Sequence, residues 1–550
     1  MLHDCTGILF IMVARMPWTP GSAVRWLFDS ERGPTNRFLS RWLFLRAFAI
    51  IYFSAFFSLI FQIRGEIGPN GILPAGDYLH MVARAYGSAR VWFAPSLFWI
   101  SSGPHMLMAV SWAGLIASIL LFLNFWPRGM LVICFVCFLA YVSASSDFSS
   151  YQSDGMLLEA GFICLFFAPP GFRPRLGRKN PAVRAAYLLL LWEWFRIYFE
   201  SGAVKLLSHD PEWRSLTAMD EYYQNGPLPT WIGWYMQHLP HKFHLFTAGA
   251  TLVLELGLVW LLLLPRRWRI VLFCIVTPWE LVVILTANYC FLNYLVLSLG
   301  VLLLDDRFLV EITPRRWREK LQRALSPSSL AQEAPEDEVE QEPLSPVHAL
   351  KLSVGTVLLG WIFYATTVQL IWMFWPLHFP TSPVAALEPF RIANRYGLFA
   401  VMTRGRYEIE FQGSNDGQNW TPYPFRFKPQ DLNKPPGIYA PYHPRFDWNL
   451  WFASLSDWRE SPVVPGTEER LLTGSKDALA LFAGNPFPNA PPKQVRAVLW
   501  QYWFTSMEEK RATGMWWKRK YLGLYAPTLQ LQPDGKFGVV EWPTPLPPHD

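Results

Sequence analysis

The chain has 550 residues, of which 52% are hydrophobic and only 16% charged. An ordinary soluble domain is nearer a quarter charged, so this composition excludes a purely soluble globular protein, and its apolar fraction excludes global disorder. The 48 basic and 42 acidic residues leave a net charge of +6, too slight an excess for a nucleic-acid binder.

Residues 1–40 read as a cytoplasmic leader: the apolar run GILFIMV is followed by Arg15 and by Met16-Pro17, with no small-residue cleavage site. A bilayer crossing needs about 20 mostly apolar residues, or fewer inside a bundle. About nine segments qualify, at approximately 41–63, 105–125, 129–146, 155–170, 184–207, 243–264, 269–286, 288–304 and 348–375. If the break at 286–288 is a re-entrant turn, eight spans remain. The expected fold class is therefore a polytopic α-helical membrane bundle of about eight or nine transmembrane helices, followed by a β-rich C-terminal soluble domain. Its division is 41–304 for the main helical region, 305–347 for a cytoplasmic loop, 348–375 for the last helix and 376–550 for the tail.

The loops sort by charge. Arg128, the stretch Arg173 to Lys179, the group Arg266, Arg267 and Arg269, and RRWREK in 305–347 fall on alternate connections. The positive-inside rule makes those loops and the N-terminus cytoplasmic, and it puts everything after about 376 on the opposite face. The polar, acidic run SPSSLAQEAPEDEVEQEPLSP before the last span reads as a disordered loop.

Cys134 and Cys137 form a CxxC inside LVICFVCFLAYV, where small apolar residues of a membrane helix are the expected reading. No cysteine lies beyond Cys290, so the tail has no internal disulfide. The histidines of QHLPHKFH, at 238, 241 and 244, lack an accompanying cysteine or carboxylate, and no metal site or cofactor is expected. There is no P-loop, no G-x-S-x-G and no HExxH, so the balance leans away from an enzyme.

The fifth span, YLLLLWEWFRIYFESGAVKLL, carries Glu193, Arg196, Glu200 and Lys205. The first three are spaced i, i+3, i+7 and share one helical face. A charge at the bilayer centre costs about 2.5–3.5 kcal/mol on insertion scales, so that face must turn inward and be paired. Arg46, Asp154, Glu159, Glu255 and Glu280 are candidate partners. Two readings stay open: a polar intramembrane site (Asp154, Glu159, Glu193, Arg196, Glu200, Lys205) that serves a membrane enzyme or transporter, or a fixed salt-bridge network.

Half of the 46 prolines, 23, follow residue 375, a density that forbids long helices. RYEIEFQGS and VRAVLWQYWFTS alternate as strands, so the tail reads as β-rich, with a sandwich as one form. RATGMWWKRKYLGLY is expected to form a helix. Its aromatic content makes the tail a candidate client-binding surface, with Arg445, Asp447, Trp448, Trp451, Trp516 and Trp517 as candidates. The alternative is that they build the domain core.

Several segments together resemble the lipase maturation factor family: FQIRGEIGPNGILPA (61–75), SDGMLLEAGF (153–162), the stretch WEWFRIYFESG…NGPLPT (192–230) and TANYCFLNYL (286–295). In the tail the resemblance continues through NRYGLFAVMTRGRYEIEFQGSNDGQNW (394–420), residues 427–455 and RATGMWWKRKYLGLYAP (511–527), with Gly155, Asn288, Asn394, Tyr396 and Gly397 among the motif positions. The resemblance implies a multi-pass protein of the endoplasmic reticulum membrane that helps secreted lipases reach their active state through a lumenal C-terminal domain. The cysteine-free tail points to a bacterial homologue, for which the membrane would be the inner membrane and the face periplasmic. The implied partners are the bilayer and newly exported proteins such as lipases, with no nucleic acid. The membrane half is also distantly similar to the helical region of vitamin K-dependent carboxylases.

Overall fold

The computed structural model describes residues 20–149, 151–325 and 345–545. The leader's apolar run and most of the acidic loop lie outside the described residues. Nine helices among those described correspond to the nine apolar segments: α1 Phe38–Ile67, α2 Pro104–Phe122, α3 Pro127–Val142, α4 Gln152–Phe167, α5 Arg184–Leu207, α6 His241–Leu256, α7 Arg266–Thr286, α8 Leu292–Gly300 and α9 Pro346–Phe374. Prolines at the first helical turn of α2, α3 and α9 start them where an N–H would go unpaired, and Ser345 caps α9 by accepting from the His348 N–H.

Among the described residues, five helices are long and apolar enough to cross a membrane: α1, α2, α6 with its 3-10 extension to Leu263, α7 and α9. The chain is thus a multi-pass membrane protein. Of the other four, α3 and α4 have 16 residues each and α8 with its extension is short, while α5 has the length but carries the charges. α1 is buried along most of its length, with Phe44, Phe48, Tyr52 and Phe56 inside and Tyr52 edge-on to Phe138 of α3 at 6.2 Å. The break before α8 is a tight connection, and Ala287 within it bridges to Pro229 of an outer loop. Cys134 and Cys137 are free, buried thiols on α3.

The basic loops meet at one end of the bundle. Arg41 donates to the carbonyls of Leu176, Gly177 and Asn180, Arg37 to Leu304 O at 2.6 Å, and Arg178 to Ala324 O, while Arg266 pairs with Asp305.

The tail corrects the expected sandwich. Its described residues hold one antiparallel sheet of six strands: β1 Arg406–Ser414, β2 Thr421–Pro422, β3 Gln494–Phe504, β4 Trp517–Leu524, β5 Thr528–Leu531 and β6 Phe537–Glu541. The order is β2-β1-β3-β5-β6, with β4 also paired to β3. Helices, not a second sheet, cover one face: α10 Arg445–Ala453 packs on β1 and α11 Val463–Leu472 on β3. There Phe411 meets Phe482, which meets Phe446.

The helix expected over RATGMWWKRKYLGLY is also corrected. A short helix, α12 Met507–Thr513, begins at a Ser506/Glu509 capping box and stops at Gly514, whose φ of +77° is left-handed. The aromatic-basic run beyond it is β4, placed by its antiparallel pairing to β3.

Candidate functional site

The charges of the membrane half converge on the tail. Arg445, the first residue of α10, donates from Nη1 to Asp154 Oδ2 and from Nη2 to Asp154 Oδ1, both at 2.8 Å, and from Nη1 to Phe148 O at 2.7 Å. Both side chains are fully buried, and the fork-to-fork geometry supplies directional strength that a point charge lacks. Gln62 of α1 completes this joint, accepting from the Arg445 N–H at 2.8 Å and donating to His443 O at 2.9 Å. Burial, and then the nearby Arg445 guanidinium, hold the His443 imidazole well below its ordinary pKa, so it packs as a neutral ring against Tyr151, Phe291 and Trp448.

A second joint receives residues 391–403, a strap that leads from α9 to β1. Arg196 pairs with Glu159 and donates to Asn394 O at 2.7 Å. The Asn394 N–H donates back to Glu159 at 2.9 Å, and its side-chain amide to Gly155 O at 3.0 Å. Glu200 accepts from the Tyr396 N–H at 2.7 Å, Gln152 from the Gly397 N–H at 2.8 Å, and Asp210 from the Met402 N–H at 2.8 Å. Gly155 is required here because a Cβ would approach Asn394 Oδ1 to 2.7 Å, and a Cβ on Gly397 would meet Val204 at 2.9 Å.

A third joint is Asn288, in the turn between α7 and α8. Its amide donates to Gly437 O at 2.9 Å and Leu228 O at 3.0 Å, and its oxygen accepts from the Tyr439 and Ala440 N–H groups. A fourth is Arg406 of β1, which caps the outer loop through the carbonyls of Gln224, Gly226 and Pro227. On the same buried strand face, Glu408 pairs with Arg406 and with Lys428 at 2.9 Å, and Glu410 with Arg519 at 3.1 Å.

The predicted intramembrane cluster therefore divides. Asp154 joins Arg445, while Glu159, Arg196 and Glu200 hold the strap. Lys205 pairs instead with Glu255 at 2.7 Å and with Ser201. Glu193 is fully buried, and its carboxylate oxygens accept no hydrogen bond among the described residues. Of the tail candidates, Arg445, Asp447, Trp448, Trp451 and Trp517 are buried and Trp516 is half-buried. Asp447 accepts from the Phe427 and Lys428 N–H groups, and Trp451 donates to Asn225 O. The three outer histidines face different partners: His238 contacts the Trp234 and Thr505 carbonyls, His241 meets Asp220, and His244 stacks near Tyr223. Gln62, Gln152, Asp210 and Arg406 were missed. The available signal was a polar residue within an otherwise apolar or strand-like motif segment.

A helical membrane bundle to which a single-sheet domain is bolted by buried, directional polar joints defines a class: a multi-pass protein with a fixed soluble head. Residues 39–311 match the lipase maturation factor transmembrane domain and residues 392–527 the lipase maturation factor C-terminal domain. The chain is similar to lipase maturation factor 1 of Bos taurus, at 30% identity covering 92% of both chains. It is also similar to lipase maturation factor 2 of Homo sapiens, at 31% identity covering 90% of this chain and 83% of the relative. This chain belongs to the lipase maturation factor family. No solved structure matches it.

Proposed function

We propose that the chain is a membrane-anchored maturation factor that assists the folding of exported proteins, lipases among them, through its C-terminal domain. The observation that carries this reading is the set of joints at Asp154, Glu159, Glu200 and Asn288, which hold the sheet domain in one orientation above the bundle. A domain so fixed can present a surface to a client at a set distance from the membrane. The family names support the client class. The clustering of Arg41, Arg178, Arg266 and the helix Arg315–Leu325, which carries RRWREK, at the far end supports a cytoplasmic placement for that end under the positive-inside rule. The head, residues 376–550, then lies in the lumen of the endoplasmic reticulum, or in the periplasm of a bacterial cell.

Arg445, Asp447, Trp448 and Trp451 act in this reading by positioning the head. The surface offered to a client is the outer sheet edge, where Phe537, Val539, Val540 and Trp542 are exposed. Trp516 is a second point of contact. The test is co-expression with a secreted lipase in cells that lack their own maturation factor. Active secreted lipase is expected to rise several-fold with the chain, and Val540→Asp with Trp542→Ala should remove that gain at unchanged protein abundance. Equal lipase activity with and without the chain would sink the proposal.

A further inference from the structure

The joints do not use the buried Lys205, Glu255 and Glu280, and these line a cavity of about 360 Å³ bounded by α5, α6, α7, α8, the strap and the 213–236 segment. Its depth is polar. Lys205 Nζ donates to Glu255 Oε2 at 2.7 Å and to Ser201 Oγ at 2.7 Å, and the Tyr198 hydroxyl donates to Glu280 Oε2 at 2.7 Å. Most of the remaining wall is apolar or aromatic. Phe246 of α6 and Val282 of α7 line the cavity and are also 68% and 48% exposed on the outside of the bundle. The mouth therefore opens sideways between α6 and α7, two helices long and apolar enough to cross a membrane, onto the lipid rather than onto water.

We propose that this cavity binds a membrane amphiphile with an uncharged, hydroxyl-bearing head and a single long chain, such as a long-chain alcohol or a monoacylglycerol. Sideways access through apolar side chains selects a ligand delivered from the bilayer. Volumes of roughly 300–1,000 Å³ are those of ordinary ligand sites, so this one holds a head group and the first part of a chain, the rest leaving through the mouth. Charge decides the head. Lys205 is the cation of the lining and is already paired with Glu255, so no ammonium is left for an anionic head. Such a head would be desolvated without a counter-charge, whereas a hydroxyl donates to a carboxyl oxygen and satisfies its own hydrogen bond in the same contact. The inference stands apart from the client reading, because neither the sheet edge nor the joints enter it.

The test uses the full chain in phosphatidylcholine nanodiscs, photolabelled with a diazirine-bearing monoacylglycerol and mapped by peptide mass spectrometry. Adducts are expected on the 243–255 and 279–286 segments, with labelling cut about fivefold or more by excess unlabelled monoolein and unchanged by oleate. Thr251→Trp, which fills the cavity, should reduce labelling by a similar factor. Glu255→Gln, which keeps an acceptor for Lys205 but removes its counter-charge, should let oleate compete. Labelling spread evenly over the lipid-facing helices, or oleate competing as well as monoolein in the unaltered chain, would overturn the proposal. If Thr251→Trp does not accumulate, the competition in the unaltered chain and in Glu255→Gln decides it.

Discussion

Arg445 and Asp154 show why a charge far from any chemistry can matter. Both are fully buried, one on each side of the seam, and each is the other's principal counter-charge. Removing one partner of a buried pair strands the other and costs about 3–5 kcal/mol, whereas replacing both with apolar residues is often neutral. Arg445→Met is therefore expected to lower the thermal unfolding temperature of the purified protein sharply. Arg445→Met combined with Asp154→Leu should recover most of that loss. Asp447, two residues on, makes a different prediction. Burial raises its pKa to about 6, against the opposing pull of Lys428, while an unfolded aspartate sits near 3.9. The folded state therefore keeps a proton that the unfolded state releases, and stability falls as pH rises between about 4 and 6. Asp447→Asn, measured by thermal unfolding at about pH 4.5 and about pH 7.5, should show a smaller fall than the unaltered chain.

Among elements, the strap is the one whose conformation is set almost wholly from outside. Residues 391–403 have little regular structure of their own, and their backbone N–H groups at 394, 396, 397 and 402 go to side chains of the bundle and its outer loop. Gly155→Ala should push Asn394 off its seat, at a cost of about 1–3 kcal/mol for the polar groups left unpaired. Limited proteolysis should then cut within 391–403 faster than in the unaltered chain, and an unchanged cleavage rate would show that Asn394 can shift without loss. This element also marks the limit of what the sequence reveals. The helices were legible because apolar run length needs no knowledge of neighbours, and β1 and β3 because strand alternation is local. The charged face of α5 was legible as a cost that had to be met. Two of its partners, Glu159 for Arg196 and Glu255 for Lys205, were among the candidates, but the strap was not, because Asn394 and Tyr396 meet this face through backbone groups, which every residue has and no composition betrays. The run after Gly514 was misread for a related reason: its strand state comes from pairing with β3, a contact set by distant sequence.

On the scale of the whole molecule, the two halves share their polar interior. The bundle supplies carboxylates and amides at its outer end, and the tail supplies a guanidinium and a row of N–H groups that match them. The far end is built otherwise, with arginines bonded to loop carbonyls and a basic helix beyond. One end is thus closed by the protein itself, and the other ends in basic side chains.

The strap has a consequence for the order in which the protein is made. Synthesis runs from the N-terminus, so α4 and α5 are made some two hundred residues before Asn394 and Tyr396 leave the ribosome. Through that interval Glu159 and Glu200 lack the backbone donors that later satisfy them. Final closure of the bundle therefore waits on the arrival of its own last third. A chain that stops short of the strap leaves Glu159 with Arg196 alone and Glu200 without its backbone donor.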